Sequence, residues 1–388
     1  MKRVVLAAAP LAFVAGLAFV PASGCGGASG SAGAVSDAST GPITIGVIDS
    51  LTGGLSGLGV GLNQVIGVAA RQINRVGVAG GRQIIFDVRD DGSDPAQSVL
   101  AARALLGEGV VGILGPISSE EVHQVEGLTY AANTVEISAT ATSVLLDRYP
   151  APVYFFRTAP PDSLQALAVM DYVRRGIYLA PDGGTNVVAV GTPGDAGVGA
   201  MLGGTCKNAY IVNGDDSYGT SLGDSVATAF LDNEGAVVGR DPVPTTLQDN
   251  YSSVLDHIEK ANPDCVILIV YSDVGAEFMT ELRARNAWHG VVCGTDGEYD
   301  SNFIPRGQSD PANPSSPNST AGVSGTSPDS APDTPEYKAF VSIWQESYPG
   351  TQPPIYGANQ YDATILLALA IQKSWKDGIS VRDGLLAI

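Results

Sequence analysis

The chain has 388 residues, 44% of them hydrophobic, enough for two lobes with separate cores. Its 21 basic and 40 acidic residues leave a formal charge of −19, spread along the chain and not gathered in a tail. A surface this negative repels phosphate backbones and excludes nucleic acid as a partner, while abundant glycine and only 7% aromatics suit a loop-rich α/β protein better than a β-sandwich.

The chain opens on Lys2 and Arg3, a basic start, followed by residues 4–20, apolar apart from Pro10. Small residues then lead to a cysteine in Pro21-Ala-Ser-Gly-Cys25. Residues 1–24 thus read as a secretory signal. Ala22-Ser-Gly-Cys25 also resembles a bacterial lipobox, which implies a diacylated Cys25 at the mature N-terminus; the alternative is an ordinary signal with an incidental cysteine. Loss of Lys2 and Arg3 takes the formal charge from −19 to −21. Residues 25–41 are rich in Gly, Ala and Ser, as in a flexible tether. No later segment is long and apolar enough to span a bilayer, so membrane attachment is expected through lipid only.

From residue 42 the pattern alternates strand and helix. Strands are predicted at 43–49, 84–89, 110–114, 135–138 and 153–157. A Gly-rich loop is expected over 51–61, and helices over the run carrying Val65, Val68, Ala69, Ile73 and Val76, then at 95–106 and 120–132. The alternation repeats, with strands at 209–213, 236–243, 266–271 and 291–295 and helices near 221–233, 249–261 and 274–286. A short strand at 322–326 precedes helices at 335–347 and 357–376. Segments 183–204 (Gly-rich) and 306–319 (Pro/Ser-rich) read as surface insertions. The whole is predicted to be an α/β protein with two doubly wound parallel-sheet lobes: 42–157 plus 320–388, and 158–319. With Cys25 set aside, three cysteines allow one bridge and one free thiol in an exported protein. Cys206 and Cys265, each opening an apolar strand, are the favoured pair; three buried thiols are the alternative, with Cys293 free in either case.

Several ordered landmarks resemble a known family. They include Leu51-Thr-Gly-Gly54, Ala69-Ala-Arg-Gln-Ile-Asn74, Gly77, Gly80-Gly81, Asp90-Asp-Gly-Ser-Asp-Pro95 and Gly115-Pro116 with Ser119. They continue with 138–142, Asp216-Ser-Tyr-Gly219, Gly294-Thr-Asp-Gly297 and 322–328. Together these resemble the type I periplasmic binding proteins, specifically the leucine/isoleucine/valine-type receptors of ABC importers, over nearly all of 42–376. The resemblance implies two lobes joined by a hinge, a small ligand enclosed between them, and a membrane permease as partner. It also implies a monomer in the bacterial cell envelope, facing the periplasm or extracytoplasmic space, without a cofactor. Relatives usually continue several dozen residues beyond a point like Ile388, which leaves open whether the C-terminus is truncated.

Ser118-x-x-Glu121 is a capping box, a helix start that needs no ligand. The resemblance places Ser119 as the carboxylate-binding serine, although Glu120 and Glu121 weaken the positive helix end. It likewise places Thr140's backbone and Thr142's hydroxyl on the ligand's amino and carboxylate groups; threonines bonding their own loop are the alternative. Asp296 aligns with the ammonium-binding acid, there commonly Glu, against the alternative of a turn aspartate. Tyr271 and Tyr218 would reach across the cleft or simply pack. Leu58 stands where relatives often place an aromatic.

Enzyme readings fare poorly. Gly219-Thr-Ser221-Leu-Gly223 matches G-x-S-x-G, but a nucleophile elbow needs its serine on the turn leaving a strand, and residues 214–218 intervene. His123, His257 and His289 show no metal-ligand spacing, and Asp90, Asp91 and Asp94 lack that of a calcium loop. The expected function is a solute receptor delivering a branched-chain or related amino acid to an ABC importer by hinge closure. A ligand-sensing or surface lipoprotein is the alternative, and a serine hydrolase a weaker one.

Overall fold

The computed structural model describes residues 41–148, 151–179, 187–190, 201–202, 204–310, 312–313, 315–328 and 332–388. The signal segment, Cys25, all but the last residue of the tether and most of 183–204 fall outside the described residues.

The first lobe starts with β1 (Ile43–Asp49), whose residues are nearly all buried, as a parallel strand covered on both faces must be. It continues through α1 (Ser56–Val76), β2 (Ile84–Asp90), α2 (Pro95–Glu108), β3 (Gly112–Leu114), α3 (Ser119–Ala132), β4 (Val135–Ser138) and β5 (Phe155–Arg157). All pairings are parallel, in the order β2-β1-β3-β4-β5. α1 lays Ile66, Ala69 and Ile73 at helical spacing onto this sheet.

The second lobe comprises α4 (Asp162–Arg175), β6 (Ile177–Leu179), β7 (Val187–Val190), β8 (Met201–Leu202), β9 (Asn208–Gly214), α5 (Ser217–Asp232) and β10 (Ala236–Val243). Then follow α6 (Ser252–Ala261), β11 (Cys265–Ile269), α7 (Ser272–Arg285), β12 (Val291–Gly294), α8 (Phe303–Arg306) and β13 (Ser324–Gly325). Its main sheet is parallel in the order β10-β9-β11-β12-β13. β6, β7 and β8 form a small antiparallel sheet, so part of the segment expected as an insertion is paired structure. A disulfide joins Cys206 to Cys265, with Cα atoms 5.5 Å apart, and Cys293 is a buried free thiol.

Three expectations need correction. Residues 320–388 do not travel together. β13 pairs with β12 and so extends the second sheet, whereas α9 (Pro335–Ser347), α10 (Gly357–Asp377) and α11 (Val381–Leu386) pack on the first lobe. A two-residue Ser-Gly strand carries no apolar pattern that says which sheet edge it completes. The loop expected over 51–61 ends early, because α1 already begins at Ser56. Gly59 is there for close packing: a Cβ on it would stand 2.2 Å from the Ser50 carbonyl oxygen. Finally, 306–319 is not purely irregular, since Gln308 and Asn318 form a bridge.

The chain crosses between the lobes at 158–161 and again between β13 and α9. Both sheets reverse direction of growth at their second and third strands, between β1 and β3 and between β9 and β11. Open α/β sheets bind ligands beyond the carboxyl ends of strands at such a reversal. Those ends are Asp49 and Leu114 in one lobe, Gly214 and Ile269 in the other.

Candidate functional site

β3 leaves its sheet through Gly115, whose φ of +87° suits glycine. A Cβ there would meet the Ile48 carbonyl oxygen at 2.1 Å. Gly115→Ala is therefore expected to cost about 2 kcal/mol or more, from left-handed strain and displacement of β1. A chemical-denaturation midpoint equal to that of the unsubstituted chain would contradict this.

Beyond that turn, Ser118 caps α3: its hydroxyl accepts the Glu121 N–H at 3.1 Å while Glu121 accepts the Ser118 N–H at 2.9 Å. Ser119 is buried, and its oxygen accepts the N–H groups of Thr142 (3.2 Å) and Ser143 (3.1 Å). Thr140 donates its hydroxyl to the Ile117 carbonyl at 2.6 Å. The two loops are thus stitched together at the carboxyl ends of β3 and β4.

The second lobe supplies Tyr218, Tyr271 and Asp296. Tyr271 donates to Asp216, the N-cap of α5, at 2.7 Å, and its ring stacks on Tyr218 at 5.6 Å. Tyr218 donates to Asp296 Oδ1 at 2.9 Å. The other oxygen, Oδ2, accepts from Tyr356 at 2.6 Å. Tyr356 precedes α10 and belongs to the first lobe, so this carboxylate is held from both sides of the cleft. Further bonds cross between the lobes: Glu120 accepts from the N–H and hydroxyl of Ser217, Ser143 donates to the Ser217 carbonyl, and the Val144 N–H donates to Ser221.

Between the two reversal points lies a cavity with about 430 Å³ of empty space, counting what opens to solvent. Ser119, Thr140, Tyr218, Tyr271, Asp296 and Tyr356 line it, with Leu55, Leu58 and Ile117 forming an apolar end. Five of the six expected ligand-binding residues therefore come together. Thr142 does not line this cavity: it is buried behind, near the carboxyl group of Asp162, whose N–H its carbonyl accepts at 2.8 Å. Tyr356 was not foreseen. A single tyrosine ahead of a long helix has no local pattern, and only its contact with Asp296, 60 residues away, reveals it.

Burial dominates the electrostatics. It pushes Asp162 up to about 7, reinforced by nearby Asp296 and opposed by the hydroxyls of Thr142 and Ser221. It pushes Glu121 up to about 8, with Asp91 and Asp216 adding repulsion. Burial and neighbouring carboxylates likewise raise the Tyr218, Tyr271 and Tyr356 hydroxyls well above the usual phenol range, so they act as donors. Burial also works to raise Glu120, but the bonds from Ser217 and Gln124 outweigh it and hold the group low.

Ser221 lies inside α5, buried and without a histidine among its hydrogen-bond partners, so the elbow geometry is absent there. His123 pairs with Glu126 and His257 with Asp241, both half-exposed and away from the cavity. Among the described residues no group of three or more His, Cys, Asp or Glu side chains is placed to hold a metal ion. No described helix is long and apolar enough to cross a membrane.

The chain is 24% identical over 263 residues to the Leu/Ile/Val-binding protein BraC3 of Rhizobium johnstonii, covering 67% of this chain and 63% of that protein. It is 28% identical, with the same coverage, to Leu/Ile/Val-binding protein homolog 3 of Brucella melitensis. The match therefore spans a little under two thirds of these relatives' length. Among solved structures, the leucine binding protein LivK of Thermotoga maritima superposes with a TM-score of 0.71 at 20% identity, covering 89% of this chain and 86% of that one. A benzoate-bound solute-binding protein of Rhodopseudomonas palustris gives 0.67 at 18%, covering 89% and 85%. These superpositions show the shared two-lobed fold. The family model for periplasmic binding proteins matches residues 42–387, nearly the whole of both lobes and the cleft between them, and the chain belongs to that family.

Proposed function

We propose that this protein is an extracytoplasmic receptor that captures a small amino acid-like ligand by hinge closure and delivers it to an ABC permease. One observation carries the reading: the cavity lies between the sheet-reversal points of two lobes, and its central carboxylate, Asp296, is held by Tyr218 of one lobe and Tyr356 of the other. Closure requires a ligand that binds the closed state better than the open one, and groups contributed from both sides supply that difference. An ammonium group would face Asp296 and the Thr140 carbonyl, the far end of the ligand would lie toward Leu55, Leu58 and Ile117, and Ser119 would donate its hydroxyl. Attachment through a diacylated Cys25 and action as a monomer belong to the same proposal, as does the envelope location. The Leu/Ile/Val-binding names of the curated relatives support an aliphatic amino acid or an analogue.

A thermal-shift screen of the purified chain against amino acids, amines, sugars and aromatic acids tests this, because a ligand that binds only the folded state raises the midpoint. An aliphatic amino acid or amine should raise it, and Asp296→Ala should abolish the rise. Shifts from sugars or aromatic acids alone would sink the proposal.

A further inference from the structure

A second, smaller cavity lies inside the first lobe at the carboxyl ends of β1 and β3, with about 210 Å³ of empty space, counting what opens to solvent. Its polar lining is Asp49, Thr140 and Gln360; the rest is apolar side chain and strand-end backbone. It has room for one water-sized guest. Only Ile117 and Thr140 line both this cavity and the interlobe cleft, so the two are neighbours and not one site.

Asp49, 3% exposed, ends β1 with neither carboxyl oxygen in a hydrogen bond. The Ser50 N–H is near enough to favour its charged form but lies outside bonding geometry. A Cβ on Gly59 would stand 2.9 Å from Asp49 Oδ1, so the carboxyl group rests against the start of α1. Two N–H groups there, those of Leu58 and Gly59, are already spent on the Leu55 carbonyl. Gln360, buried on α10, likewise has its amide nitrogen unpartnered. Buried polar groups are almost always bonded, so two such groups on one cavity wall point to a guest that bonds them.

Charge decides what that guest is. Asp91, Glu121 and Asp90 are all close enough to repel a charged Asp49. Asp91 receives the hydroxyls of Ser50 and Ser98, and Asp90 receives that of Thr52 with three backbone N–H groups. Asp49 has no such donors, and no lysine, arginine or histidine lines the cavity. A neutral water would bond its oxygens but leave the repulsion standing. A cation relieves it, displacing the proton that burial otherwise keeps on Asp49. The lining suits a hard ion bound through oxygen. The Thr140 hydroxyl commits its hydrogen to the Ile117 carbonyl and keeps its oxygen free to coordinate. The Gln360 amide presents oxygen in place of nitrogen after a half-turn. One lining carboxylate matches one positive charge.

We propose that this cavity binds one small monovalent metal cation of the sodium class, held by Asp49 with oxygens of Gln360 and Thr140. The ion ties the end of β1 to α10 and so fastens the C-terminal helices to the first sheet.

The test is the melting midpoint of the purified chain near neutral pH in sodium-free buffer, with sodium chloride or caesium chloride added at equal ionic strength. Caesium carries the same charge but is too large for a water-sized cavity. Sodium at about 100 mM should raise the midpoint by about 3 °C over caesium, because an ion that binds only the folded chain stabilises it. Asp49→Asn, which removes the charge and keeps the shape, should melt alike in both salts. Gln360→Leu should at least halve the rise, and it decides with the unsubstituted chain if Asp49→Asn does not fold. Equal midpoints of the unsubstituted chain in the two salts would overturn the proposal and assign the cavity to water. A sodium rise retained in folded Asp49→Asn, or undiminished in Gln360→Leu, would also overturn it.

Discussion

The chain should melt at a lower temperature near pH 8.5 than near pH 5.5, by roughly 10 °C or more. The cause is the set of carboxyl groups that burial keeps protonated, Asp162 even against the attraction of nearby Arg157. Asp162 is pushed up to about 7 and Glu121 to about 8, and burial raises Asp49, Glu136 and Glu298 in the same direction. Each keeps its proton in the folded state at a pH where the unfolded chain has lost it. The folded state then binds more protons, so stability falls as pH rises. The window runs from about 3.8 to about 7 for Asp162 and from about 4.5 to about 8 for Glu121. One unit is worth about 1.4 kcal/mol, so Asp162 alone removes about 2 kcal/mol between pH 5.5 and 7, and about 1 kcal/mol moves the midpoint of a large domain by roughly 2–4 °C. Glu120 and Asp90 are held low and act oppositely, but only below their ordinary range, outside this window. Asp162→Asn and Glu121→Gln should each flatten the profile. A midpoint that rises steadily from pH 5.5 to 8.5 would refute the account.

Replacing both Cys206 and Cys265 with serine should cost the second lobe about 4 kcal/mol, the loop-closure value for a bridge spanning 59 residues. The bridge ties the lead into β9 to the first residue of β11, the two strands that flank the sheet reversal beneath Tyr218 and Tyr271. Loosening it should weaken ligand binding as well as stability. Cys293 offers no replacement: it is fully buried in β12, and burial pushes its thiol far above the ordinary range, so it should react with thiol reagents only after unfolding. Denaturant titration of the double variant measures the loss, and a midpoint unmoved from that of the unsubstituted chain would contradict the entropic role.

Much of the fold was legible because its signals are local. The buried run 43–49, the helical stripe from Leu62 to Ile73 and the Ser118-x-x-Glu121 cap each act within a few turns of chain. The start of α1 was not legible, because glycines at 57, 59 and 61 lower helix propensity and only packing against the Ser50 carbonyl explains the one at 59. The placement of β13 was not legible either, since two small residues carry no pattern.

In the cleft, sequence by itself determined which residue types stand at the carboxyl ends of strands: Ser119, Thr140, Tyr271 and Asp296. It also determined the abundance of acid over base in the whole chain. Tertiary structure alone decided their roles. It turned Thr142 away, spent the Ser119 oxygen on two backbone donors, brought Tyr356 to Asp296 and left the lining without a cation. Periodicity and capping depend on neighbours along the chain, whereas charge pairing and hydrogen bonding depend on separations of about 3 Å between atoms that lie far apart in sequence.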